Sequence, residues 1–362
     1  MALKIIRGKT LPLGVDLGSS SLKLAQLGVS EGGIDLLAAG EAEIPRACRK
    51  DPSRRLDCLC QGIRNVLKEK PFKGRQAVLS VPAADSFVQH VKIPKLPPQE
   101  RPLAVQGELK GKLPYPVEEA VIRHVVVGDV YGDGETKQEV IVVAVSRRTL
   151  EAYLAMARRA KLYVVGANVE PFAIVECFAR LFQRAGDVHR AVLFADIGAA
   201  STQVVLAHGK DTVFARNLAI GGDHLDQAAA EKMNVPFEKA QAVRRELVAG
   251  NIDQSDAEEL YGAIIEPVDL LAAEMTKCLR YYESVFKSHS VERAVFLGGQ
   301  AGDKRLCQML AERLSLPAQI GDPFMRVKAA PAHAGNIGID RRVPQPRWAV
   351  AVGLSLGAQQ AA

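Results

Sequence analysis

Gly14-Val-Asp-Leu-Gly-Ser-Ser-Ser-Leu-Lys23 is the stretch that decides the fold of this chain. The apolar segments Leu13–Leu17 and Leu22–Leu27 predict two strands joined by a Gly/Ser turn. Glycine allows the backbone to approach a ligand and to turn its amide groups towards an anion, and hydroxyl and ammonium groups add further donors. The stretch therefore predicts a hairpin that binds phosphate. Its candidate binding residues are Asp16, Gly18, Ser19, Ser20 and Lys23.

A second copy of this pattern, Asp196-Ile-Gly-Ala-Ala-Ser-Thr202, lies near the middle of the chain. It again has a strand that ends in aspartate, a glycine turn and a returning strand. One such turn is ordinary turn chemistry, but two copies in comparable positions predict an α/β fold with an internal duplication. Because a carboxylate repels phosphate, Asp16 and Asp196 are expected to hold the water shell of a Mg²⁺ ion that bridges the phosphates.

The composition is that of an ordinary globular protein, with 48% hydrophobic residues, 24% charged residues and a net charge of +6. The densest basic stretch, residues 46–55, contains no aromatic residue, so we interpret it as a solvated face and expect no nucleic-acid partner. The six cysteines form no C-x-x-C pair, which argues against zinc, and their spacing suggests no disulfide framework and fits a reducing compartment. No apolar run approaches the roughly 20 residues of a membrane helix, so we expect no direct membrane insertion.

An additional small module is predicted between the two halves, over residues 82–165. The proline-rich stretch Pro94–Pro102 marks a boundary, and the β-branched run Glu139–Val145 is typical of a strand that is covered on both faces. Leu150–Ala160 has helical spacing and is expected to complete the module. Further along, Val268–Phe286 has apolar residues at steps of three and four, which predicts a helix of about five turns.

Three more segments complete the pattern: Asn168–Ala173, Val295–Gln300 with its diglycine, and Trp348–Ser355 with small residues at helical spacing. Together with the two hairpins, they resemble the motifs of the superfamily of actin, heat-shock chaperones and FtsA, in the order phosphate 1, connect 1, phosphate 2, adenosine and connect 2. The resemblance implies an α/β fold with duplicated actin-like (ribonuclease H-like) lobes, a nucleotide cleft between them and an inserted small α+β domain. The implied divisions are a first lobe over 1–81, completed by 166–190 and 341–362; the inserted domain over 82–165; a second lobe over 191–222, completed by 290–340; and a subdomain over 223–289.

The resemblance also implies the cofactors ATP and Mg²⁺, with Asp16 and Asp196 on the metal side. Glu170 matches the glutamate that places the attacking water. FtsA-like proteins carry Ala-Glu-x-x-Lys beside adenosine, whereas this chain has Ala240-Gln-Ala-Val-Arg244. The implied contacts are therefore Gln241, which lacks the charge of glutamate, and Arg244, whose guanidinium is positive but differs in shape from the lysine ammonium. The remaining implied nucleotide-binding residues are Gly198, Thr202, Gly221, Gly222, Gly298 and Gly299.

Within the superfamily, the inserted module and the absence of an amphipathic helix after Trp348–Ser355 favour a resemblance to the PilM family of pilus-assembly proteins. The segment Lys112–Ala120 looks like the Pro-x-Pro helix start of that family's module, although Arg123-His124 stands where an Asp-Tyr pair is common. The implied partner is the cytoplasmic N-terminal peptide of a single-span, PilN-like inner-membrane protein. The implied location is therefore the cytoplasm, peripheral to the inner membrane through that partner. The groove that receives the peptide is guessed to involve Val88–Pro97 and a helix near Glu108–Leu113.

The predicted function is a cytoplasmic ATP-binding scaffold of type IV pilus or type II secretion assembly, at most a weak ATPase. Two alternatives remain: an FtsA-like filament-forming cell-division protein, and a small-molecule kinase of the same fold. A kinase needs a substrate base in the cleft, and no aspartate of this chain has a convincing context for that role. The sequence leaves open whether the protein self-associates or polymerises.

Overall fold

The computed structural model describes residues 9–132, 135–181, 190–286, 290–329 and 339–357. The chain divides into two compact units. The first unit consists of Met1–Phe182 and Asp322–Ala362, and the second unit consists of Gln183–Gly321.

The first unit is built on a large mixed sheet that contains the first hairpin. In this sheet β2, β3 and β4 are antiparallel neighbours, while β5 and β9 continue beyond β2 as parallel strands. Its strand order is β15-β4-β3-β2-β5-β9, with β1 paired to β3. The bounds of the strands are β1 Lys9–Thr10, β2 Leu13–Leu17, β3 Ser21–Ser30, β4 Gly33–Glu43, β5 Gln76–Val81, β9 Tyr163–Val169 and β15 Val327–Ala329.

Helices cover this sheet, and one of them packs directly on the backbone of the hairpin. A Cβ atom on Gly14 would lie 1.9 Å from the carbonyl oxygen of Ala351, and one on Gly353 would lie 1.7 Å from that of Ala173. Glycine is therefore required where α11 meets β2 and α5, as the small residues of the connect-2 segment predict. The helices of this part of the unit are α1 Arg46–Arg49, α2 Pro52–Glu69, α4 Arg147–Arg159, α5 Glu170–Ala179 and α11 Ala349–Gly357.

In its described residues, the inserted module is a three-stranded sheet with one α-helix. Its strand order is β6-β8-β7, and both pairings are antiparallel. The central strand β8 is buried on both faces, as its β-branched run predicts: Val140 and Val142 pack towards α3, while Val145 packs towards the large sheet. The elements are β6 Phe87–Pro94, α3 Arg101–Leu109, β7 Ala120–Gly132 and β8 Glu135–Ser146.

The expected boundary of the module at residue 165 is wrong. Helix α4 buries Tyr153, Met156 and Ala157 in the same core as Leu59 and Ile63 of α2. Strand β9 pairs with β5 in the large sheet. The apolar side chains of α4 thus belong to the first lobe, and the module's own sheet ends with β8.

The second unit is a five-stranded sheet with the second hairpin at its centre. Its strand order is β12-β11-β10-β13-β14, with β10 parallel to β13 and antiparallel to β11. The strands are β10 Ala191–Ile197, β11 Thr202–His208, β12 Asp211–Leu218, β13 Val291–Leu297 and β14 Ala318–Ile320. The helices are α6 Gly222–Met233, α7 Phe237–Ala249, α8 Gln254–Ala263, α9 Ile265–Val285 and α10 Lys304–Leu314.

Three further expectations are corrected by the structure. The second lobe does not extend to residue 340, because β15 pairs in parallel with β4 and Asp322–Ala362 belongs to the first unit. Lys112–Ala120 does not start an α-helix but contains a single 3₁₀ turn, Val117–Glu119, before β7. Cys48 and Cys58 are joined by a disulfide, because α1 folds back on the start of α2 and brings their Cα atoms to 6.8 Å.

Candidate functional site

The first hairpin holds a carboxylate and an ammonium group side by side. Asp16 and Lys23 are register partners on β2 and β3, and Lys23 Nζ lies 3.4 Å from Asp16 Oδ2. Both residues are less than a tenth exposed. Because the two opposite charges lie this close, the pair forms a partly neutralised unit beside the turn.

The turn between these strands is held from behind by Arg55, on the second turn of α2. Its Nη2 donates to the carbonyl oxygens of Leu17 and Gly18, each at 3.0 Å, and its Nη1 donates to that of Ser19 at 3.4 Å. In a planar trans peptide, the N–H of the next residue points opposite to the carbonyl. The amide groups of residues 18–20 therefore point away from the guanidinium, which is the arrangement that an anion-binding turn needs.

Arg55 is thus a residue that sequence analysis missed. The interpretation of residues 46–55 as a solvated face is wrong for Arg55, which is half-buried against the hairpin. Its partners lie 36 to 38 residues earlier in the chain. No local signal distinguishes it from the exposed Arg54 beside it.

The second hairpin has the same form, but backbone amides hold its turn. The N–H of Gly222 donates to the carbonyl of Gly198 at 2.9 Å, and that of Asp223 donates to the carbonyl of Ala199 at 2.7 Å. A Cβ atom on Gly221 would lie 2.7 Å from the Ala199 oxygen, so the diglycine permits this contact. The amide groups of residues 199 and 200 accordingly point away from the start of α6.

Thr202 directs its hydroxyl group into the protein. Its side chain is fully buried, and Oγ1 donates to the carbonyl of Ile220 at 2.7 Å. This bond fixes the chain that leads into the diglycine, while the role of Thr202 towards phosphate stays a prediction.

The structure brings the phosphate-2 and adenosine motifs together within the second unit. Strands β10 and β13 are parallel, with Asp196 opposite Leu297. Gly298 follows with a positive φ of +87°, and a Cβ atom there would lie 2.3 Å from Asp196 Oδ1. Gly299, by contrast, is exposed, and a Cβ atom on it would have no neighbour within 4 Å. The fold explains Gly298, whereas Gly299 has open space above its backbone.

Gln241 and Arg244 do reach this region, but they contact protein groups. Both bind Asp226: Arg244 Nη1 lies 2.5 Å from Oδ1, and Gln241 Nε2 lies 2.9 Å from Oδ2. Arg244 also donates to Gln300 Oε1 at 3.0 Å and to the carbonyl of Gly222 at 3.3 Å. Arg244 and Asp226 are both almost fully buried. These residues therefore tie α6 and α7 to the loop Gly298–Gln300, and sequence analysis missed the roles of Asp226 and Gln300.

Comparison with known proteins identifies the family to which this chain belongs. A sequence model of the type IV pilus assembly protein PilM matches residues 14–359. This chain belongs to the PilM family. In a solved PilM–PilN type IV pilus biogenesis complex, the matching chain is 25% identical with a TM-score of 0.79, and the match covers 96% of this chain and 98% of that one. The ethanolamine utilization protein EutJ from Carboxydothermus hydrogenoformans is 15% identical with a TM-score of 0.56, over 97% of this chain and 90% of that one.

These matches confirm the predicted resemblance to PilM and the predicted actin-like fold. In this PilM-family chain Glu170 is the first residue of α5 and is half-buried. An acidic residue is favoured at this end of a helix, because the N-terminal amide groups carry partial positive charge. Its catalytic role stays a prediction.

The carboxylates of the two hairpins suit a Mg²⁺ ion only if phosphate and water supply its other ligands. Among the described residues, no group of three or more His, Cys, Asp or Glu side chains could hold a metal ion. Each hairpin supplies a single carboxylate, Asp16 or Asp196, at a strand end. Magnesium retains several waters and uses few carboxylates when phosphate oxygens complete its shell, so these residues suit a phosphate-bound ion.

In the parts of the chain that the structure describes, no helix combines the length and the apolar character needed to cross a bilayer.

Proposed function

We propose that this PilM-family chain is a cytoplasmic scaffold that binds Mg-ATP and docks to the cytoplasmic N-terminal tail of a single-span, PilN-like membrane protein. The observation that carries the nucleotide part is the matched construction of the hairpins. In each, the turn carbonyls are held from one side, by Arg55 or by the start of α6, so that the turn amides point the other way. Turn amides that are held in one direction are what an anion-binding turn requires, and each hairpin provides them by itself.

The residues divide into ligand-facing and supporting groups under this proposal. Asp16, Lys23 and Asp196 act on the phosphates and on Mg²⁺, which when bound neutralises phosphate charge. The exposed backbone at Gly299 receives the adenosine. Gln241 and Arg244 position that loop through Asp226 and Gln300.

The proposed chemistry is weak or absent hydrolysis. Glu170 is the single candidate that sequence analysis gives for placing water, and no second base accompanies it in that reading. We expect a turnover below about 1 s⁻¹, the low end of ordinary enzymes, and a further loss with Glu170→Ala. Phosphate release from the wild-type protein and the variant measures this. Turnover well above that value would favour an enzyme, such as the kinase alternative.

The partner proposal draws on the family and on the module. The related structure is a complex of PilM with PilN. In this chain β6 lies at one edge of the module's sheet and pairs with β8, so an extended peptide could add to that edge. Val88, which the sequence assigns to the groove, packs instead in an apolar cluster with Val81, Val145 and Val169. The guessed helix Glu108–Leu113 largely falls after α3, which ends at Leu109.

A direct test combines capture and titration. The tagged chain is incubated with detergent-solubilised membranes of its own organism, and the co-purifying single-span protein is identified. A synthetic peptide of that protein's cytoplasmic N-terminus is then titrated into the purified chain by calorimetry, with and without Mg-ATP. We expect saturable binding that is tighter with Mg-ATP. Failure of the peptide to bind under both conditions would contradict the docking proposal, and co-sedimenting ATP-dependent filaments would favour the FtsA-like alternative.

A further inference from the structure

A disulfide joins the two segments that hold the turn of the first hairpin. Cys48 on α1 and Cys58 on α2 form this bond, and both residues are partly exposed. The four other cysteines of the chain are free and buried: Cys60, Cys177, Cys278 and Cys307. Thiol–disulfide exchange needs access to a sulfur atom, so Cys48 and Cys58 are the cysteines that a thiol in solution can reach.

The segment that leads into α1 holds one carbonyl of the turn. The N–H of Ile44 donates to the carbonyl of Ser20 at 2.9 Å. Ile44 is fully buried where β4 ends, and α1 follows after Pro45. Arg49 Nε on α1 donates back to the Ile44 carbonyl at 3.2 Å, and no residue of α1 is fully buried. Ile44 therefore connects α1 to the turn through both of its backbone polar groups.

The start of α2 holds the preceding carbonyls of the same turn. Arg55 donates to the carbonyls of residues 17–19. The Asp51 side chain caps the helix by accepting from two backbone N–H groups of its first turn. Both residues lie in the segment that the disulfide closes. Four consecutive turn carbonyls are thus held by Ile44 and Arg55, and the disulfide ties together the segments that carry these two residues.

The densest basic stretch of the chain surrounds the disulfide. Its positive residues are Arg46, Arg49, Lys50, Arg54 and Arg55. The two carboxylates of the region are each paired with an arginine, Asp51 with Arg54 and Asp57 with Arg159. Positive charge near a cysteine favours the thiolate, which is the form that takes part in exchange, and reactive cysteines are partly exposed in such surroundings. The basic stretch therefore suits a redox-active pair.

We infer that Cys48 and Cys58 form a reversible redox site whose reaction partner is a dithiol, and that the state of this site regulates phosphate binding at the first hairpin. In a reducing compartment, a disulfide is usually transient and has a catalytic or sensing role. The closed disulfide keeps Ile44 and Arg55 on the turn, so the turn amides are ordered before phosphate binds. The reduced pair releases α1 and lets both groups move. The inference rests on the proposed nucleotide binding and adds a regulation of that site.

The reaction is thiol–disulfide exchange. One thiolate of the dithiol attacks a sulfur atom of the pair, a mixed disulfide forms, and the bond between Cys48 and Cys58 breaks. The second thiolate of the dithiol then attacks the mixed disulfide and releases the other cysteine. The protein gains two electrons and two protons and holds two thiols, while the dithiol becomes a disulfide. The same couple runs the reaction in reverse, so no further oxidant is needed.

Calorimetry of the full chain in two redox states tests the regulation. The wild-type protein is equilibrated with oxidised or reduced dithiothreitol, and alkylation followed by mass spectrometry reports the state of Cys48 and Cys58. Well below the thermal midpoint of either state, we expect the oxidised protein to bind Mg-ATP at least about fivefold more tightly than the reduced protein. A disulfide that only stabilised the fold would shift the thermal midpoint without changing this affinity.

Three variants serve as controls. The double variant Cys48→Ala/Cys58→Ala should bind Mg-ATP like the reduced wild-type protein under both conditions, because it cannot form the disulfide. Arg55→Ala should bind weakly and lose most of the redox effect, because the disulfide acts on the turn largely through this side chain. Arg54→Ala removes an exposed charge from the same part of α2 and should keep the full redox effect.

The outcomes separate the inference from the proposed function. Equal affinity of the oxidised and reduced wild-type protein, or tighter binding by the reduced protein, would refute the regulation and leave nucleotide binding intact. A redox effect that persists in the double variant would assign it to a buried cysteine and would also refute the inference. If the wild-type protein binds Mg-ATP in neither state, the proposed function fails and the regulation fails with it.

Discussion

Asp196 carries the phosphate-2 assignment at the scale of a single residue. It is the last residue but one of β10, and its carboxylate lies against the backbone of Gly298. Replacing it by Ala should weaken Mg-ATP binding at least about tenfold, or ~1.4 kcal/mol, because the proposed Mg²⁺ would lose the carboxylate that this hairpin supplies. Asp211→Ala, at the exposed start of β12 in the same sheet, is the control and should bind as wild type. Unchanged affinity of Asp196→Ala in calorimetry would remove the assignment.

Gly298 is enclosed by protein atoms and Gly299 is not. Alanine variants of these two residues should therefore separate effects on protein stability from effects on ATP binding. Gly298→Ala places a methyl group on the Asp196 carboxylate at positive φ and should lower the free energy of unfolding by about 1–3 kcal/mol. Gly299→Ala meets no protein atom, so its thermal midpoint should not change while its ATP affinity falls. If Gly299→Ala binds ATP as tightly as wild type, adenosine does not lie against that backbone.

At the scale of elements, Asp226 joins α6 and α7 to the loop that contains Gln300, because Arg244 binds both side chains. Removing one member of a buried ion pair leaves the other charge buried without its partner. Asp226→Leu and Arg244→Met should therefore each lower the free energy of unfolding by about 3–5 kcal/mol. The double variant should lose clearly less than the sum. Urea denaturation of the four proteins measures this cycle. Additive losses would mean that the pair does not act as a unit.

The sequence predicts elements well where a periodic pattern has one interpretation. Helix α9 has its predicted stripe buried at Val268, Leu271 and Met275, and β8 is covered on both faces as its composition requires. The sequence assigns helix α4 to the inserted module, whereas the helix packs on the first lobe. Its apolar stripe correctly predicts a helix, but a stripe does not specify which sheet it covers, and Tyr153 packs on the first lobe.

The candidate site shows the same limit for polar residues. The hairpin motifs are local in sequence and were therefore visible, whereas the groups that support them are distant. Arg55 binds a turn 36 to 38 residues away, and Arg244 binds Asp226 and Gln300 at separations of 18 and 56 residues. Arginines and carboxylates occur throughout the chain, so a tertiary partner is not readable from spacing alone.

At the scale of the whole molecule, nucleotide binding and partner docking should be separable. Every nucleotide motif predicted here lies outside the inserted module, so variants in residues 85–125 should abolish partner binding and leave ATP affinity intact. Leu103 on α3 is the suitable position, because it is apolar and about three-quarters exposed.

We expect Leu103→Glu to weaken binding of the partner's N-terminal peptide by at least about tenfold, since a charge on a recognition surface must be desolvated on docking. Leu270→Glu is the control, because Leu270 is half-exposed on α9 of the second unit. Asp16→Ala should weaken ATP binding and affect the peptide only through the nucleotide. Cross-linking then locates the peptide independently of these variants. Cross-links confined to residues 223–289 would place the partner on the second unit and overturn the assignment of docking to the module.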